Sequence, residues 1–187
     1  MTSRNTLARS LHDLGAAAWF GGTLMGAVGL NGAADAVRDP QDRARVASMG
    51  WAKWSPVNAA AIGAHLVGGG ALLYANRDRA QHQRGVKANT ITKIVLTGAA
   101  LAATAYSGVL GAKVATADGQ YVAGTTEPAH STPDEVAVAQ RQLQYVQWAL
   151  PALTGAIVIL GAQQGEQQRP AHILAGFGST LARRVRK

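Results

Sequence analysis

The sequence contains no cysteine among its 187 residues. This absence excludes disulfide bridges, thiolate metal sites and cysteine nucleophiles together, and it leaves the redox compartment undecided. Charged side chains are also scarce, at 15% of the chain against about 25% in an average soluble domain. Hydrophobic residues reach 48%, although polar connections between the apolar runs keep the mean hydropathy at only +0.02. This composition favours a single-domain membrane protein.

The motifs of the common enzyme classes are missing as well. The chain has no P-loop, no zinc-protease helix, no nucleophile elbow and no Ser-His-Asp set. Its three methionines are scattered, so the clustered soft ligands of a copper conduit are absent. The sequence therefore predicts a protein that is not an enzyme.

Four apolar runs approach the length of about 20 residues that a helix needs to cross a bilayer. They extend over about residues 12–36, 56–75, 91–114 and 142–163. The first run, preceded by Arg4 and Arg9, could instead be a cleaved signal peptide, but it is longer than the apolar part of a usual signal. We therefore predict an all-α integral membrane four-helix bundle that forms one domain over residues 1–187.

Two further segments are predicted to lie on the membrane surface as amphipathic helices. Residues 40–54 begin with a cap at Asp39 and end where Ser55 and Pro56 are expected to restart the chain. Residues 170–187 form a basic amphipathic tail, which anionic lipids would attract. The tryptophans expected to anchor the chain at the membrane interface are Trp51, Trp54 and Trp148.

The distribution of basic residues predicts the orientation. Arginines and lysines concentrate near the N-terminus, in the link around residues 77–87 and in the tail, which all fall on one side of a four-span chain. The positive-inside rule places that side, with both termini, in the cytoplasm of a cell (inner) membrane. The long polar segment 115–132 then becomes an extracytoplasmic loop. Because no nucleic-acid motif accompanies the net charge of +8, nucleic acid is not an expected partner.

Small residues on the predicted helices indicate close contact between helices. They recur at four-residue spacing, as in membrane helices whose backbones approach closely. This set consists of Ala18, Gly22, Gly26, Gly161 and Gly165. They can pack helices within the bundle or offer a face to another subunit, and the sequence leaves both open.

His65 is the only ionisable side chain near the middle of a predicted span, which makes it a candidate functional residue. It could be a neutral histidine bonded across helices, for instance to Thr104, Tyr106 or Ser107. It could instead ligate haem or relay protons. His12 is the obvious partner for a haem, but its predicted place at the cytoplasmic start of the first span offsets it from His65 by roughly 12 Å in depth, at about 1.5 Å per residue. This offset argues against a pair.

The opening of the first span carries a resemblance to a known family. From His12 through Leu14, Ala16, Trp19 and Gly21-Gly22 it is similar to the H-x-L-x-A-x-x-W-x-G-G start of CopD-like copper-resistance membrane proteins and of small four-helix membrane proteins that share that opening. The resemblance implies a four-helix membrane fold and a role in copper handling. The heavy use of Ala, Gly and Arg is also typical of actinobacterial proteins.

Three functions remain open from the sequence. The first is a non-catalytic accessory or assembly subunit of a larger membrane complex, for example a respiratory one, with other subunits or further copies of itself as partners and no cofactor. The second is a haem- or metal-binding membrane protein that uses His65 and His12. The third is a small transporter with a polar path past His65, Asn31 and Tyr106.

Overall fold

The computed structural model describes the backbone of residues 3–82 and 84–167, and the side chains of residues 5–75 and 88–163. The described part is all helical, without strands. Its helices are α1 (Ser3–Met25), which continues through a π-helical turn (Gly26–Leu30) into α2 (Asn31–Asp35), then α3 (Pro40–His82), α4 (Arg84–Ala115) and α5 (Asp134–Gln167). The all-α prediction is confirmed. The predicted basic tail, residues 170–187, lies outside the described residues.

Three of these helices are long and apolar enough to cross a membrane. Their apolar parts are Pro40–Ala75, Ala88–Ala115 and Asp134–Gln163. The first predicted span, residues 12–36, is not among them. That the first helix also crosses the membrane therefore stays a prediction.

The predicted break between residues 40–54 and 56–75 does not exist. The Asp39 cap is confirmed, because α3 starts at Pro40 and the Gln41 N–H donates to Asp39 Oδ1 at 3.0 Å. The helix then continues through Pro56. Just before the proline, the Ser55 hydroxyl donates to the Trp51 carbonyl at 2.8 Å, so a side chain supplies a hydrogen bond in this turn. The predicted surface segment and second span are thus one helix.

The helices pack around two buried apolar clusters. Helix α1 lies against α3 and α5, while α4 lies against α5 and α3. One cluster, near the loop after α4, includes Leu110, Val114 and Val122. The other, which we call the Trp19 layer, consists of Ala16, Trp19, Ala100 and Ile157. The Trp19 layer joins α1, α4 and α5 about halfway along the bundle.

The loop between α4 and α5 packs onto the helix ends. Val122 is fully buried, and Gln140 Nε2 donates to the carbonyls of Gly124 and Thr125 at 2.9 and 3.2 Å. Asp35, at the end of α2, accepts hydrogen bonds from the backbone N–H and the hydroxyl of Thr125. The Asp35 carboxylate therefore ties the loop to the first helix.

Removing this carboxylate should loosen the loop. In Asp35→Ala, we expect amide hydrogen exchange over residues 122–127 to speed up by about tenfold, because two charge-assisted hydrogen bonds are lost and about 1.4 kcal/mol less is needed for local opening. Asp118→Ala is the matched control, since Asp118 is an exposed loop carboxylate whose nearest cation, Arg45 Nε, is 3.9 Å away. Equal exchange rates in the two variants would contradict this role of Asp35.

Candidate functional site

Two histidines from different helices form a stacked pair inside the bundle. The rings of His12 and His65 lie 4.1 Å apart between centroids with 20° between their planes, and both residues are buried. Each Nδ1 is 3.1 Å from the other residue's main-chain carbonyl oxygen. Since a carbonyl only accepts, both rings carry their proton on Nδ1 in this arrangement. Each Nε2 is then left as an acceptor.

The pair is supported by a short motif that occurs once on α1 and once on α3. A Cβ added to Gly15 would lie 2.4 Å from the Ala61 carbonyl oxygen, and one added to Gly68 would lie 2.5 Å from the Ala8 carbonyl oxygen. The two glycines therefore let the antiparallel helices touch backbone to backbone. The shared pattern Ala-x-x-x-His-x-x-Gly consists of Ala8, His12 and Gly15 on α1, and Ala61, His65 and Gly68 on α3.

The predicted offset in depth between His12 and His65 is wrong. It assumed that the apolar runs mark the ends of the bundle. Helix α1 instead begins at Ser3 and α3 continues to His82, so both histidines lie well inside their helices and meet at the same level. The motif is visible in the sequence when residues 8–15 are compared with residues 61–68.

Helix α4 faces the histidine pair with polar side chains. Lys93 Nζ is 2.9 Å from His12 Nε2, and Thr97 Oγ1 is 3.5 Å from His65 Nε2. The Lys93 side chain therefore points into the bundle. Its Nζ and Asp13 Oδ1 both lie within 4 Å of the point where a Cβ on Gly161 would stand. We call His12, His65, Lys93 and Thr97, together with the exposed Asp13 at their edge, the inner site.

The Trp19 layer closes the interior next to the inner site. The Trp19 indole is fully buried, with its ring centroid 6.1 Å from that of His65 in an edge-on arrangement. Its Nε1–H donates to Thr104 Oγ1 at 3.2 Å. Thr104 is seven residues after Thr97 on α4, which corresponds to about 10 Å along the helix. An apolar layer thus separates the inner site from the polar groups around Thr104.

Beyond this layer lies a cavity of about 340 Å³, which we call the outer cavity. It is lined by residues of α1 to α5, including Thr104, and by the loop after α4. The Trp51 indole N–H donates to Asn31 Oδ1 at 3.0 Å, and Asn31 Nδ2 donates to Gln147 Oε1 at 2.9 Å. Among the described residues, no charged side chain lines this cavity.

The predicted interface tryptophans Trp51 and Trp54 lie against glycines of the first helix. A Cβ on Gly26 would stand 2.0 Å from the Trp51 ring, and a Cβ on Gly22 would stand 2.1 Å from the Trp54 ring. The absence of a side chain at these two glycines therefore makes room for tryptophan rings of the same chain. Trp148 is half exposed on α5.

The remaining residues predicted from sequence are distributed differently. Ala18 is exposed on α1. Gly161 faces the inner site, and Gly165 lies beyond the residues whose surroundings the structure describes. Tyr106 is 45% exposed and is not among the cavity-lining residues, unlike its neighbour Ser107.

Sequence reasoning missed the roles of Lys93 and Trp19. The signal was present on α4, where Lys93, Thr97, Thr104 and Ser107 recur at steps of three, four or seven residues and so share one helix face. A polar stripe on an otherwise apolar helix is typical of a face that points into the bundle.

The histidine pair does not fit a haem held between its two rings. The rings are in stacking contact, so a porphyrin cannot lie between them, and each Nδ1 is engaged by a carbonyl. His12 Nε2 also faces the Lys93 amine. Within the described residues, no group of three or more His, Cys, Asp or Glu side chains could hold a metal ion.

Comparisons with known proteins identify neither a family nor a protein of similar fold. No family model, curated protein or solved structure matches the chain. The similarity of the first helix to CopD-like proteins therefore stays a prediction from its residues alone.

Proposed function

We propose that the protein is a small transporter or channel of the cell membrane that conducts protons through its helix bundle. The observation that carries this proposal is the inner site, where two buried histidines meet a lysine inside the bundle. Ionisable side chains at such depth are costly in a membrane and mark proton relays or ion pathways. The outer cavity, beyond the Trp19 layer, supplies the continuation of the path.

The contacts of the inner site indicate how a proton would move. Lys93 donates to His12 Nε2, so a proton can pass from the ammonium to the imidazole along this contact of 2.9 Å. Among the residues whose side chains are described, His65 Nε2 has only the long contact of 3.5 Å to Thr97, which leaves it able to accept a proton next. The nearby Asp13 carboxylate stabilises positive charge at this end of the bundle. Passage to Thr104 requires the Trp19 layer to move.

The proposal includes the membrane arrangement predicted from sequence. We propose four spans, counting the first helix with the three that meet the length and hydropathy criteria. The positive-inside rule supports cytoplasmic termini, an inner site nearer the cytoplasm and an outer cavity nearer the extracytoplasmic loop.

Proton flux into vesicles tests this function. Purified protein is reconstituted into vesicles that contain a pH-sensitive dye, and decay of an imposed pH gradient is followed. We expect wild-type vesicles to lose the gradient faster than protein-free vesicles, and His65→Leu and Lys93→Met to slow the protein-dependent flux by at least about tenfold, as loss of a proton-transfer group does. Tyr106→Phe is the control, because its side chain faces outward. Equal decay in wild-type and protein-free vesicles would contradict the proposal.

A second candidate function, the accessory or assembly subunit, is supported by the outer face of α1. Ala17, Ala18 and Gly21 are exposed there, and a Cβ on Gly21 would meet no atom within 4 Å. Such a surface suits a helix of another subunit. If so, Ala18→Phe should lose a partner that copurifies with the wild type in mild detergent. A wild-type protein that always purifies alone would count against it.

A further inference from the structure

We infer that Asp13 is the group through which protons pass between the surrounding water and the inner site, and that Gly161 keeps the way from Asp13 to Lys93 open. This assignment rests on the proposed function, because it concerns the entrance of the same proton path. Asp13 would hold the transferred proton itself. Gly161 is a positioning residue, which acts only through the space that it leaves.

Asp13 lies where two of the apolar helix segments end. Lys93 is the sixth residue of the apolar segment Ala88–Ala115 on α4, and Gly161 stands two residues before the end of Asp134–Gln163 on α5. Asp13 is exposed, whereas the neighbouring His12 is buried. Because a carboxylate is unfavourable in the hydrocarbon of a membrane, we expect Asp13 to meet water at this end of the bundle.

The surface of α5 brings Asp13 and Lys93 close to one another. A Cβ on Gly161 would stand 3.8 Å from Lys93 Nζ and 3.9 Å from Asp13 Oδ1. The carboxylate of α1 and the amine of α4 therefore approach each other over a glycine of α5, which places no side chain between them. A large side chain at position 161 would occupy this space and separate the two groups.

The charges around the entrance explain why a carboxylate is needed there. The Asp13 carboxylate interacts electrostatically with His12, His65 and Lys93, and Arg9 adds a further positive charge near Lys93. Without an acid, this group of basic side chains would repel an approaching proton, whereas a carboxylate at the edge attracts it. The charged residues described on α5 lie in its first turns, at the other end of the helix, and are Asp134, Glu135 and Arg141.

The entry step completes the transfer that begins between Lys93 and His12. Once the Lys93 ammonium has given a proton to His12 Nε2, its amine is neutral. The protonated Asp13 carboxyl group then gives its O–H proton to the Lys93 nitrogen, which leaves a carboxylate and restores the ammonium. A hydronium ion of the outside water returns a proton to the carboxylate and becomes water. One proton has then entered for each one passed to the histidines.

Two substitutions of Asp13 test the entry role by the decay of a pH gradient in reconstituted vesicles. Asp13→Asn keeps the size of the side chain but cannot carry a proton, so we expect it to slow the protein-dependent flux by about tenfold. Asp13→Glu keeps the carboxyl group on a longer side chain, and its flux should stay within about twofold of the wild type. A merely structural role would favour the asparagine. Asp118→Asn is the matched control, since it removes an exposed carboxylate of the loop after α4.

Gly161→Leu tests the passage between Asp13 and Lys93. We expect this variant to slow the flux by about tenfold, because the leucine side chain separates the donor from the acceptor. Gly98→Leu is its control, because no atom lies within 4 Å of the Cβ position of Gly98 on α4. A readout independent of flux is a zero-length carbodiimide cross-link, in which the activated Asp13 carboxyl group forms an amide with Lys93 Nζ and its oxygen leaves in a urea. Peptide mass spectrometry should find this amide in the wild type and not in Gly161→Leu.

The outcomes separate the entry role from the proposed function. Wild-type vesicles that hold the gradient as long as protein-free vesicles would overturn both. Wild-type flux that Asp13→Asn leaves unchanged, or that Asp13→Glu abolishes as fully as Asp13→Asn, would overturn the entry role alone. Absence of the cross-link from the wild type, or unchanged flux in Gly161→Leu, would overturn the role of Gly161.

Discussion

Replacing Trp19 with alanine is expected to raise proton flux through reconstituted vesicles by about tenfold, the change given by a barrier lowered by about 1.4 kcal/mol. The indole is fully buried between the inner site and Thr104, and with Ala16, Ala100 and Ile157 it forms the apolar layer that separates the two. Removing the ring leaves a space that joins the histidine pair to the outer cavity. The measurement is the decay of a pH gradient with Trp19→Ala beside wild type.

The same substitution should destabilise the bundle, by about 3–5 kcal/mol if it behaves like other large-to-small changes in a packed interior. Trp19→Phe is the matched control, because it keeps an aromatic ring in the layer and removes only the N–H donated to Thr104. Its flux should stay near that of the wild type. A folded Trp19→Ala protein with unchanged or lower flux would show that the Trp19 layer is not the barrier.

The second large effect is expected at the two glycines of the histidine motif. In Gly15→Ala and Gly68→Ala the new methyl group would stand 2.4–2.5 Å from main-chain atoms of the facing helix. Backbone atoms cannot rotate away, so α1 and α3 must separate and both reciprocal histidine bonds lengthen. We expect each variant to lose about 1–3 kcal/mol of stability, measured as lower unfolding temperature in detergent.

Combining the two substitutions provides a sharper test of helix contact. One separation of α1 from α3 relieves both clashes, so Gly15→Ala with Gly68→Ala should cost less than the sum of the single variants. Gly63→Ala on α3 is the control, because no atom lies within 4 Å of its Cβ position. It should be neutral or stabilising by up to about 1 kcal/mol through helix propensity. Equal losses in Gly63→Ala and Gly68→Ala would contradict the close approach.

The elements that local chemistry determines could be predicted. The cap at Asp39 before Pro40 follows from a side chain and a proline in a few neighbouring residues. Ser55 and Pro56 carry the same signal but lie inside α3. A proline can stay within a helix when neighbouring groups and packing compensate for the hydrogen bond that it cannot donate. The sequence does not show that packing.

The candidate site was only partly predictable for a related reason. Hydropathy marked His65 as unusual, since a buried ionisable group stands out in an apolar run. It could not align α1 with α3, because that register depends on Gly15 and Gly68 contacting the opposite backbone. The direction of Lys93 was indicated by the polar stripe that it shares with Thr97 and Thr104, although a lysine near the end of a predicted span can also reach the lipid headgroups.

Thiol accessibility most directly tests the central claim, which is a water-filled outer cavity sealed from the histidine pair inside a membrane. The chain has no cysteine, so single cysteines can be introduced without background. A membrane-impermeant thiol reagent is applied from the loop side to Ser107→Cys, which lines the cavity, and to Val109→Cys, which is 57% exposed at nearly the same level of α4. Thr97→Cys reports on the inner site.

If the claim holds, Ser107→Cys reacts, the lipid-facing Val109→Cys does not, and Thr97→Cys reacts from this side only when Trp19→Ala is also present. Equal labelling of Ser107→Cys and Val109→Cys, or labelling of Thr97→Cys with Trp19 intact, would contradict it.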